Sequence, residues 1–496
     1  MANENEWGSN LAFVLAMIGS AVGLGNIWRY PYVLYSNGGG AFYIPYLIAI
    51  LVLAIPLIIL EYGVVYNYKS SFTKAIVKIK PKLEFYGWIL PVVTFIMTIY
   101  YSTILGWDGI YFILSFFKGW GSDPNTFLTV SLLQSADSIS GILNFIPVIA
   151  ISMIFIWLII WFISHRNLDE GLGRVARYFV PMLFVIMIVI VAFSLTLPGA
   201  SIGLAELFDP DWSLLYNYSI WMAAFGQIFF SLSLGMGAGF TFASYTKRDI
   251  DLISSGLCVV LANSLFENFA ALGVFSILGY MSLESGVAVS KLVSQGTTLI
   301  FVAYPKVFNI LGGVALILGP LFFFTVYVAG VTSILSSFEV LSISIQDKFA
   351  FSRKKATTAL CIVGGLASMV FATSAGGYLL SIADIFVNNI MVLFSVIVQT
   401  ILFAWVFKAE RLVDFFNAKS RFLKLGRWWL ILVKYICPIL LTVIWIGELY
   451  NLIKMGSTEF VVILGVLLAI LLIFAFIFTI RPAKTDEWFK TEERIK

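Results

Sequence analysis

The chain has little charge, little cysteine and almost no histidine. Only 12% of its 496 residues are charged, 60% are hydrophobic, and the mean hydropathy is +0.97. This balance excludes an ordinary soluble domain, in which about 25% of residues carry charge. The three cysteines lie in hydrophobic segments and predict neither a disulfide framework nor a zinc cluster. A single histidine leaves little material for a metal centre or a histidine-dependent enzyme, so we expect no enzyme.

Hydrophobic runs long enough to cross a bilayer recur about twelve times. The chain is therefore expected to be an all-α integral membrane protein embedded in a lipid bilayer. The runs lie near residues 9–36, 39–66, 84–117, 145–163, 172–197, 214–244, 252–282, 312–346, 354–373, 377–407, 428–453 and 459–480.

Basic residues are concentrated in alternate connections between these runs. Of the 31 lysines and arginines, 25 fall in every second connection or in the carboxyl-terminal tail, and four fall in the opposite connections. The positive-inside rule then predicts that both termini are cytoplasmic, in a multi-pass protein of the plasma membrane. Binding of nucleic acid is much less favoured, because the basic connections are short and separated by membrane spans.

Closely spaced glycines interrupt two hydrophobic runs at their centres. Residues 19–26 read Gly-Ser-Ala-Val-Gly-Leu-Gly-Asn, and residues 231–239 read Ser-Leu-Ser-Leu-Gly-Met-Gly-Ala-Gly. Unwound backbone within a bilayer is tolerated only where protein or a cavity surrounds it. Paired breaks in two halves of a chain therefore predict a transporter site, whereas a lone Gly-x-Gly more often marks close helix packing.

Carboxylates within the runs form a second group of candidates. For Glu61 and Glu339 a hydrogen-bond network that links helices is the favoured interpretation. Glu267 is more informative, because Asn263 lies four residues earlier on the same helical face.

Several longer motifs resemble the neurotransmitter:sodium symporter family, in particular its bacterial amino-acid transporters. The resemblance runs from about residue 7 to residue 480 and keeps the family order. It rests on Ala-Val-Gly-Leu-Gly-Asn-Ile-Trp-Arg-Tyr-Pro at 21–31, Asn-Gly-Gly-Gly-Ala-Phe at 37–42, Gln-Ile-Phe-Phe-Ser-Leu-Ser at 227–233, Ala-Ser-Tyr at 243–245 and Ala-Gly-Val-Thr-Ser at 329–333.

The resemblance implies two inverted five-helix repeats with discontinuous helices 1 and 6 and a site between them. The implied divisions are a cytoplasmic segment 1–8, repeats at 9–197 and 214–407, helices 11 and 12 at 428–480, and a cytoplasmic tail 481–496.

Two sodium ions are implied in the same way. The first would bind the Ala21 carbonyl, Asn26, Ser231, Asn263 and the carboxylate of the substrate. The second would bind the carbonyls of Gly19, Val22 and Ala329 and the hydroxyls of Thr332 and Ser333. Oxygen ligands without a soft donor suit a hard cation. Hydroxyls in membrane helices often bond to their own backbone, so Thr332 and Ser333 alone would be a weak indication.

The implied substrate is an amino acid whose carboxylate meets the backbone amides near Leu24 and Gly25 and the Tyr101 hydroxyl. Relatives that carry monoamines tend to place Asp where this chain has Gly23, which favours an α-amino acid. A mainly apolar pocket predicts a neutral, hydrophobic side chain and leaves its identity open. The implied substrate-binding residues are Ala21, Gly23, Leu24, Gly25, Met97, Tyr101, Ile104, Phe230, Ser231, Ser233, Met236, Ser333 and Ser337.

Gates on the two sides of the site are also implied. Arg29 and Asp384 lie toward the outer side of their spans, and Tyr101 with Phe230 would form an aromatic lid. On the inner side, Glu4 replaces the arginine expected three residues before Trp7, so the usual salt bridge to the family's aspartate cannot form. The implied gating residues are Trp7, Arg29, Tyr101, Phe230, Tyr245, Asp347 and Asp384.

A carboxylate is expected to replace chloride. Tyr46, Gln227, Ser231 and Asn263 resemble the surroundings of the chloride in chloride-dependent relatives, where a serine occupies the position of Glu267. The leading hypothesis is a chloride-independent, sodium-coupled amino-acid symporter working by alternating access, with proton counter-movement left open. The alternative is a non-transporting amino-acid sensor of the same fold, which the unusual Glu4 favours. The oligomeric state is left open.

Overall fold

The computed structural model describes residues 6–247, 250–293, 296–420 and 423–490, and this part of the chain is helical. No β-strand occurs in these ranges, where the one extended pairing is an isolated bridge between Phe145 and Thr373. The predicted all-α class is confirmed. Glu4 lies outside the described residues.

Ten helices in the described ranges are long and apolar enough to cross a membrane. They match ten of the predicted spans, with ends displaced by a few residues. The helices are Gly39–Tyr68, Pro81–Ser115, Pro147–Ser164, Asp169–Leu195, Leu252–Ser285, Gly312–Phe349, Arg353–Phe371, Gly376–Val406, Arg427–Lys454 and Thr458–Ile480.

The first predicted span is broken at the glycines. Its helices Asn10–Ala21 and Leu24–Ser36 meet at an angle of 52° and together provide an eleventh crossing. Val22 and Gly23 between them have extended backbone. The Asn26 side chain accepts a hydrogen bond from the Gly23 amide at 2.9 Å, so it caps the helix that restarts there.

The sixth predicted span consists of two shorter helices, Tyr218–Ser231 and Ala238–Ser244. Gly235 and Gly237 between them have φ of 69° and 81°, in the left-handed region. A Cβ at Gly235 would also lie 2.6 Å from the Val396 side chain. Glycine is therefore needed at this break both for its backbone conformation and for its lack of a side chain.

Two long helices form the centre of the bundle. In an apolar stretch of 18 residues, 89% is buried within Pro81–Ser115 and 67% within Gly312–Phe349, against 17% within Thr458–Ile480. The last helix therefore lies at the periphery, where its uniformly apolar surface suits lipid. The described chain between the spans includes the shorter helices Phe72–Ile79, Ala200–Phe208, Tyr304–Ile310 and Glu410–Lys419. The division into two inverted repeats stays a prediction.

Candidate functional site

A cavity of about 170 Å³ lies where the two broken helices meet the central helices. Unwound backbone from both breaks contributes to its wall, as the glycine pattern predicted. All thirteen residues proposed to bind substrate line this cavity: Ala21, Gly23, Leu24, Gly25, Met97, Tyr101, Ile104, Phe230, Ser231, Ser233, Met236, Ser333 and Ser337.

Gly23 lies in a narrow part of this wall. A Cβ at this position would lie 2.8 Å from the Ser333 hydroxyl and 3.8 Å from the Tyr101 hydroxyl. At Gly25 a Cβ would meet no atom within 4 Å. Two hydroxyls therefore face the backbone at the start of Leu24–Ser36, where the amide groups of a first helical turn have no partner within the helix.

The residues proposed for the first sodium ion converge beside the cavity. The side-chain amides of Asn26 and Asn263 are in contact at 2.9 Å, and the Asn263 amide also contacts the Ser231 hydroxyl at 2.9 Å. The amide atom of Asn263 that faces Asn26 also lies 3.1 Å from the Ser231 carbonyl and 3.3 Å from the Ala21 carbonyl. Oxygens from the two broken helices and from Leu252–Ser285 thus surround one point.

The residues proposed for the second ion lie between Asn10–Ala21 and Gly312–Phe349. A Cβ at Gly19 would lie 3.3 Å from the Thr332 Cβ, so the two helices are close there. The Thr332 hydroxyl donates to the Ala329 carbonyl at 2.9 Å, and the Ser333 hydroxyl donates to the Ser20 carbonyl at 3.4 Å. Val22 follows at the helix break. The Thr332 contact is of the local kind expected for a hydroxyl in a membrane helix.

Glu267 is fully buried next to the first oxygen cluster. One carboxylate oxygen accepts a hydrogen bond from the Tyr46 hydroxyl. The other accepts from Gln227 at 3.1 Å and from Asn26 at 3.3 Å. Three polar groups therefore surround a carboxylate that is in direct contact with a proposed sodium ligand.

Glu61 links helices across the second break, as predicted. Its carboxylate accepts hydrogen bonds from the Gly235 amide at 2.7 Å and from Gln399 at 2.6 Å. A backbone amide freed by the unwound turn thus finds a partner inside the bundle, which membrane burial requires.

At one end of the cavity, the Arg29 end, two charged side chains of opposite sign line the wall without pairing with each other. The Arg29 guanidinium lies over the Phe230 ring, 4.3 Å from its centroid. Asp384 accepts hydrogen bonds from Tyr100 at 2.9 Å and from Asn388 at 2.7 Å. Both charged side chains line the cavity, yet the described residues show no ion pair between them. Tyr101 and Phe230 both lie in the same wall.

At the opposite end, the Trp7 end, hydrogen bonds and aromatic contacts connect Trp7 to the helix Ala238–Ser244 and to Tyr245. The buried Trp7 indole donates to the Phe242 carbonyl at 2.8 Å, and the Trp7 amide donates to the Tyr245 carbonyl at 3.1 Å. The Trp7 ring also packs against Phe13, Phe242 and Tyr245.

A buried ion pair, which the sequence did not reveal, completes this end. Arg353 donates to both carboxylate oxygens of Glu339 at 2.5 and 3.0 Å, and the Tyr245 hydroxyl donates to Glu339 at 2.8 Å. Glu339 thus links helices, as predicted. Asp347 instead accepts from the Ser71 amide at 2.8 Å. A basic residue at the start of a span was visible in the sequence, but its pairing with Glu339, 14 residues earlier on the preceding span, was not.

The described fold and cavity define the class of the protein. Helices of membrane length surround an internal cavity at two helix breaks, the arrangement of a multi-pass membrane transporter.

The sequence profile of the sodium:neurotransmitter symporter family matches residues 4–142 and 122–484. An uncharacterized sodium-dependent transporter of Methanocaldococcus jannaschii is 38% identical over 453 residues, covering 91% of this chain and 92% of the relative. A sodium- and chloride-dependent GABA transporter of Drosophila melanogaster is 29% identical over 90% of this chain and 51% of its own length. A sodium- and chloride-dependent creatine transporter of Bos taurus is 28% identical, covering 82% and 71%.

The chain belongs to the sodium:neurotransmitter symporter family, which confirms the family inferred from the motifs. Sodium-coupled transport across a membrane follows from this membership.

Proposed function

We propose that this protein is a sodium-coupled symporter of neutral, hydrophobic amino acids that works by alternating access. The observation that carries the proposal is the cavity, because all thirteen residues proposed to bind the substrate line it and the two oxygen clusters adjoin it. We place both termini in the cytoplasm and the Arg29 end outside, so that Arg29 and Asp384 lie at the outer gate.

The cavity wall supports an amino acid as the substrate. Ser333 and Tyr101 offer hydroxyls beside the backbone at Gly23, where a carboxylate can accept hydrogen bonds. Met97, Ile104 and Met236 supply apolar surface for a side chain. GABA and creatine, named for two relatives, both carry a carboxylate.

Gly23→Asp tests the carboxylate assignment. A second carboxylate beside that of the substrate should repel it and weaken amino-acid binding at neutral pH. Gly23→Asn is the matched control, because it adds nearly the same volume beside Ser333 without a charge. Equal amino-acid affinities of the Asp and Asn variants would place the substrate carboxylate elsewhere.

Two sodium ions are proposed, the first sharing the substrate carboxylate as a ligand. Sodium and substrate should then tighten each other by the same factor. Asn26→Ala should weaken both, whereas Thr332→Ala should mainly weaken the second ion. Titration of each variant with sodium and amino acid in detergent measures both affinities.

Uptake into proteoliposomes tests the function as a whole. A symporter accumulates radiolabelled amino acid when sodium is outside and potassium is inside, and it stops when the sodium gradient is collapsed. A sensor of the same fold would bind the amino acid in detergent with sodium but would not accumulate it. Lack of binding across the neutral amino acids would reject both proposals.

Glu267 is proposed to replace the chloride of the chloride-dependent relatives. The wild type should transport equally well in chloride and in gluconate. Glu267→Ser removes the fixed charge and leaves Tyr46 and Gln227 free to face an anion. This variant should recover transport in chloride but not in gluconate, and Glu267→Gln provides a neutral control of similar size. Chloride-dependent uptake by the wild type would reject the assignment.

A further inference from the structure

Asp108 is a buried carboxylate that none of the sites above uses. It lies in Pro81–Ser115 with 0% of its surface exposed, and neither carboxylate oxygen has a hydrogen-bond partner. By contrast, Glu61, Glu267, Glu339 and Asp384 each accept at least two hydrogen bonds. An intramembrane carboxylate without any partner calls for a functional explanation.

No basic side chain compensates Asp108 in the part of the chain that the structure describes. The titratable groups near it there include the phenols of Tyr101 on its own helix and Tyr327 on Gly312–Phe349. Tyr111, three residues along the same helix, adds a third phenol nearby. The adjacent helix Pro147–Ser164 has no titratable side chain before its capping His165.

Tyr327 places a phenol near Asp108. A Cβ at Gly109, the next residue after Asp108, would lie 3.4 Å from the Tyr327 ring. The hydroxyls of Tyr327 and Tyr111 are also buried without a partner. A phenol can donate to an ionised carboxylate or accept from a protonated one, so these groups are compatible with a carboxyl that changes its protonation state.

Asp108 lies on the same face of its helix as residues that line the cavity. Asp108 follows Ile104 by four residues and Tyr101 by seven, so the three share one helical face. Ile104 and Tyr101 line the cavity. Asp108 therefore lies about one helical turn, roughly 5.4 Å, beyond the cavity along the helix axis.

We propose that Asp108 is a proton-binding site of this transporter, loaded in the conformation described and exchanging its proton through the cavity. Loading forms one O–H bond on a carboxylate oxygen and changes no other bond. A proton is favoured over a metal cation because it neutralises the charge without requiring a cavity or further ligands. The proposal goes beyond sodium symport and is independent of the substrate and of Glu267.

Loss of this proton would leave an uncompensated charge in the bundle, so it should disfavour the conformation described. If that conformation binds sodium, its sodium affinity should fall as the pH rises. The steepest fall that one proton allows is about tenfold per pH unit. Asp108→Asn, which keeps the shape and removes the charge, should make sodium affinity nearly independent of pH over the same interval.

Infrared spectroscopy of the purified full-length protein tests the loaded state directly. Protonated carboxyl groups give a carbonyl band that carboxylates lack, and ¹³C labelling of aspartate side chains shifts the aspartate bands alone. The wild type and Asp384→Asn should show a shifted band at neutral pH that Asp108→Asn lacks. Identical spectra of wild type and Asp108→Asn would overturn the proposal.

Two further measurements keep the test decisive. If Asp108→Asn fails to fold, the Glu267→Gln/Asp384→Asn double variant must keep the aspartate band, and its absence would overturn the proposal. Sodium affinity is measured by ²²Na⁺ binding in detergent, from about pH 6 to about pH 10, a range wide enough for a buried acid. The affinity of Asp108→Asn should change less with pH than that of the wild type. An unchanged profile would overturn the proposed exchange through the cavity, while failure of amino-acid uptake would bear only on the proposed function.

Discussion

The two ends of the cavity differ in how their charged groups are bonded. At the Arg29 end, a guanidinium lies over an aromatic ring and the nearby Asp384 bonds only to neutral groups. At the Trp7 end, Glu339 receives two hydrogen bonds from Arg353 and one from Tyr245. The charges at the Arg29 end are thus unpaired, whereas those at the Trp7 end form an ion pair.

This difference shows what each end contributes to a transport cycle. An Arg and an Asp that line the same cavity without pairing attract each other, and closure of that end can use this attraction. A buried pair, by contrast, must be broken or carried along when its end opens, and breaking it leaves a charge without a partner. Under the proposed function, we therefore expect the Arg29 end to close during transport and the Trp7 end to open only when its ion pair breaks or moves.

The strongest test of the comparison is Arg353→Ala. Removing one partner of a buried ion pair costs about 3–5 kcal/mol, and here it leaves Glu339 with Tyr245 alone. The Trp7 end should open much more often. Thr241 is buried one turn before Tyr245, so a cysteine placed there should become reactive to a thiol reagent. The exposed Cys258 is first replaced by Ala.

Two controls separate charge from packing in that experiment. Arg353→Lys keeps the charge but loses the two-pronged contact, so its labelling should be intermediate. Adding Glu339→Gln to Arg353→Ala removes the orphaned charge and should restore part of the protection. Unchanged labelling of Arg353→Ala would show that the ion pair does not hold this end closed.

Sequence reasoning succeeded where the signal was local. The breaks in two spans follow from glycine spacing, since Gly235 and Gly237 must adopt left-handed backbone and Gly235 must approach Val396. The all-α class and the spans follow from hydrophobic run length. The cavity-lining residues came from the family resemblance, because nothing in periodicity alone selects Met97 or Ser337.

Long-range pairings were beyond the sequence. Arg353 was visible only as one of several basic residues at the start of a span, and its contact with Glu339 depends on how a loop returns to the helix before it. Asp108 is a different case, because a carboxylate inside a hydrophobic run is itself a signal. A systematic search for such residues would have found it, although not its lack of partners.

A milder change at the Trp7 end sharpens the comparison. Trp7→Phe keeps an aromatic ring against Phe242 but loses the indole hydrogen bond of 2.8 Å. The loss of one neutral hydrogen bond should cost about 1 kcal/mol. Labelling of the Thr241→Cys reporter should rise about fivefold, far less than for Arg353→Ala. Trp7→Ala also loses ring packing and should approach the Arg353→Ala result, whereas equal effects of Phe and Ala would show that packing contributes little.

The smallest expected effect is at the Arg29 end, where Phe230→Leu removes the ring beneath the guanidinium. A cation–π contact that is partly exposed contributes about 0.5 kcal/mol, and its loss should free Arg29 to approach Asp384. The ratio of closed to open molecules at this end should rise about twofold in sodium without substrate. Spin labels at Leu143 and Tyr216, which are 92% and 96% exposed, should report a larger short-distance population. Phe230→Tyr keeps the ring and should match the wild type. If Leu and Tyr gave the same distance distribution, the ring would not hold Arg29 away from Asp384, and the separation of the two charges would need another cause.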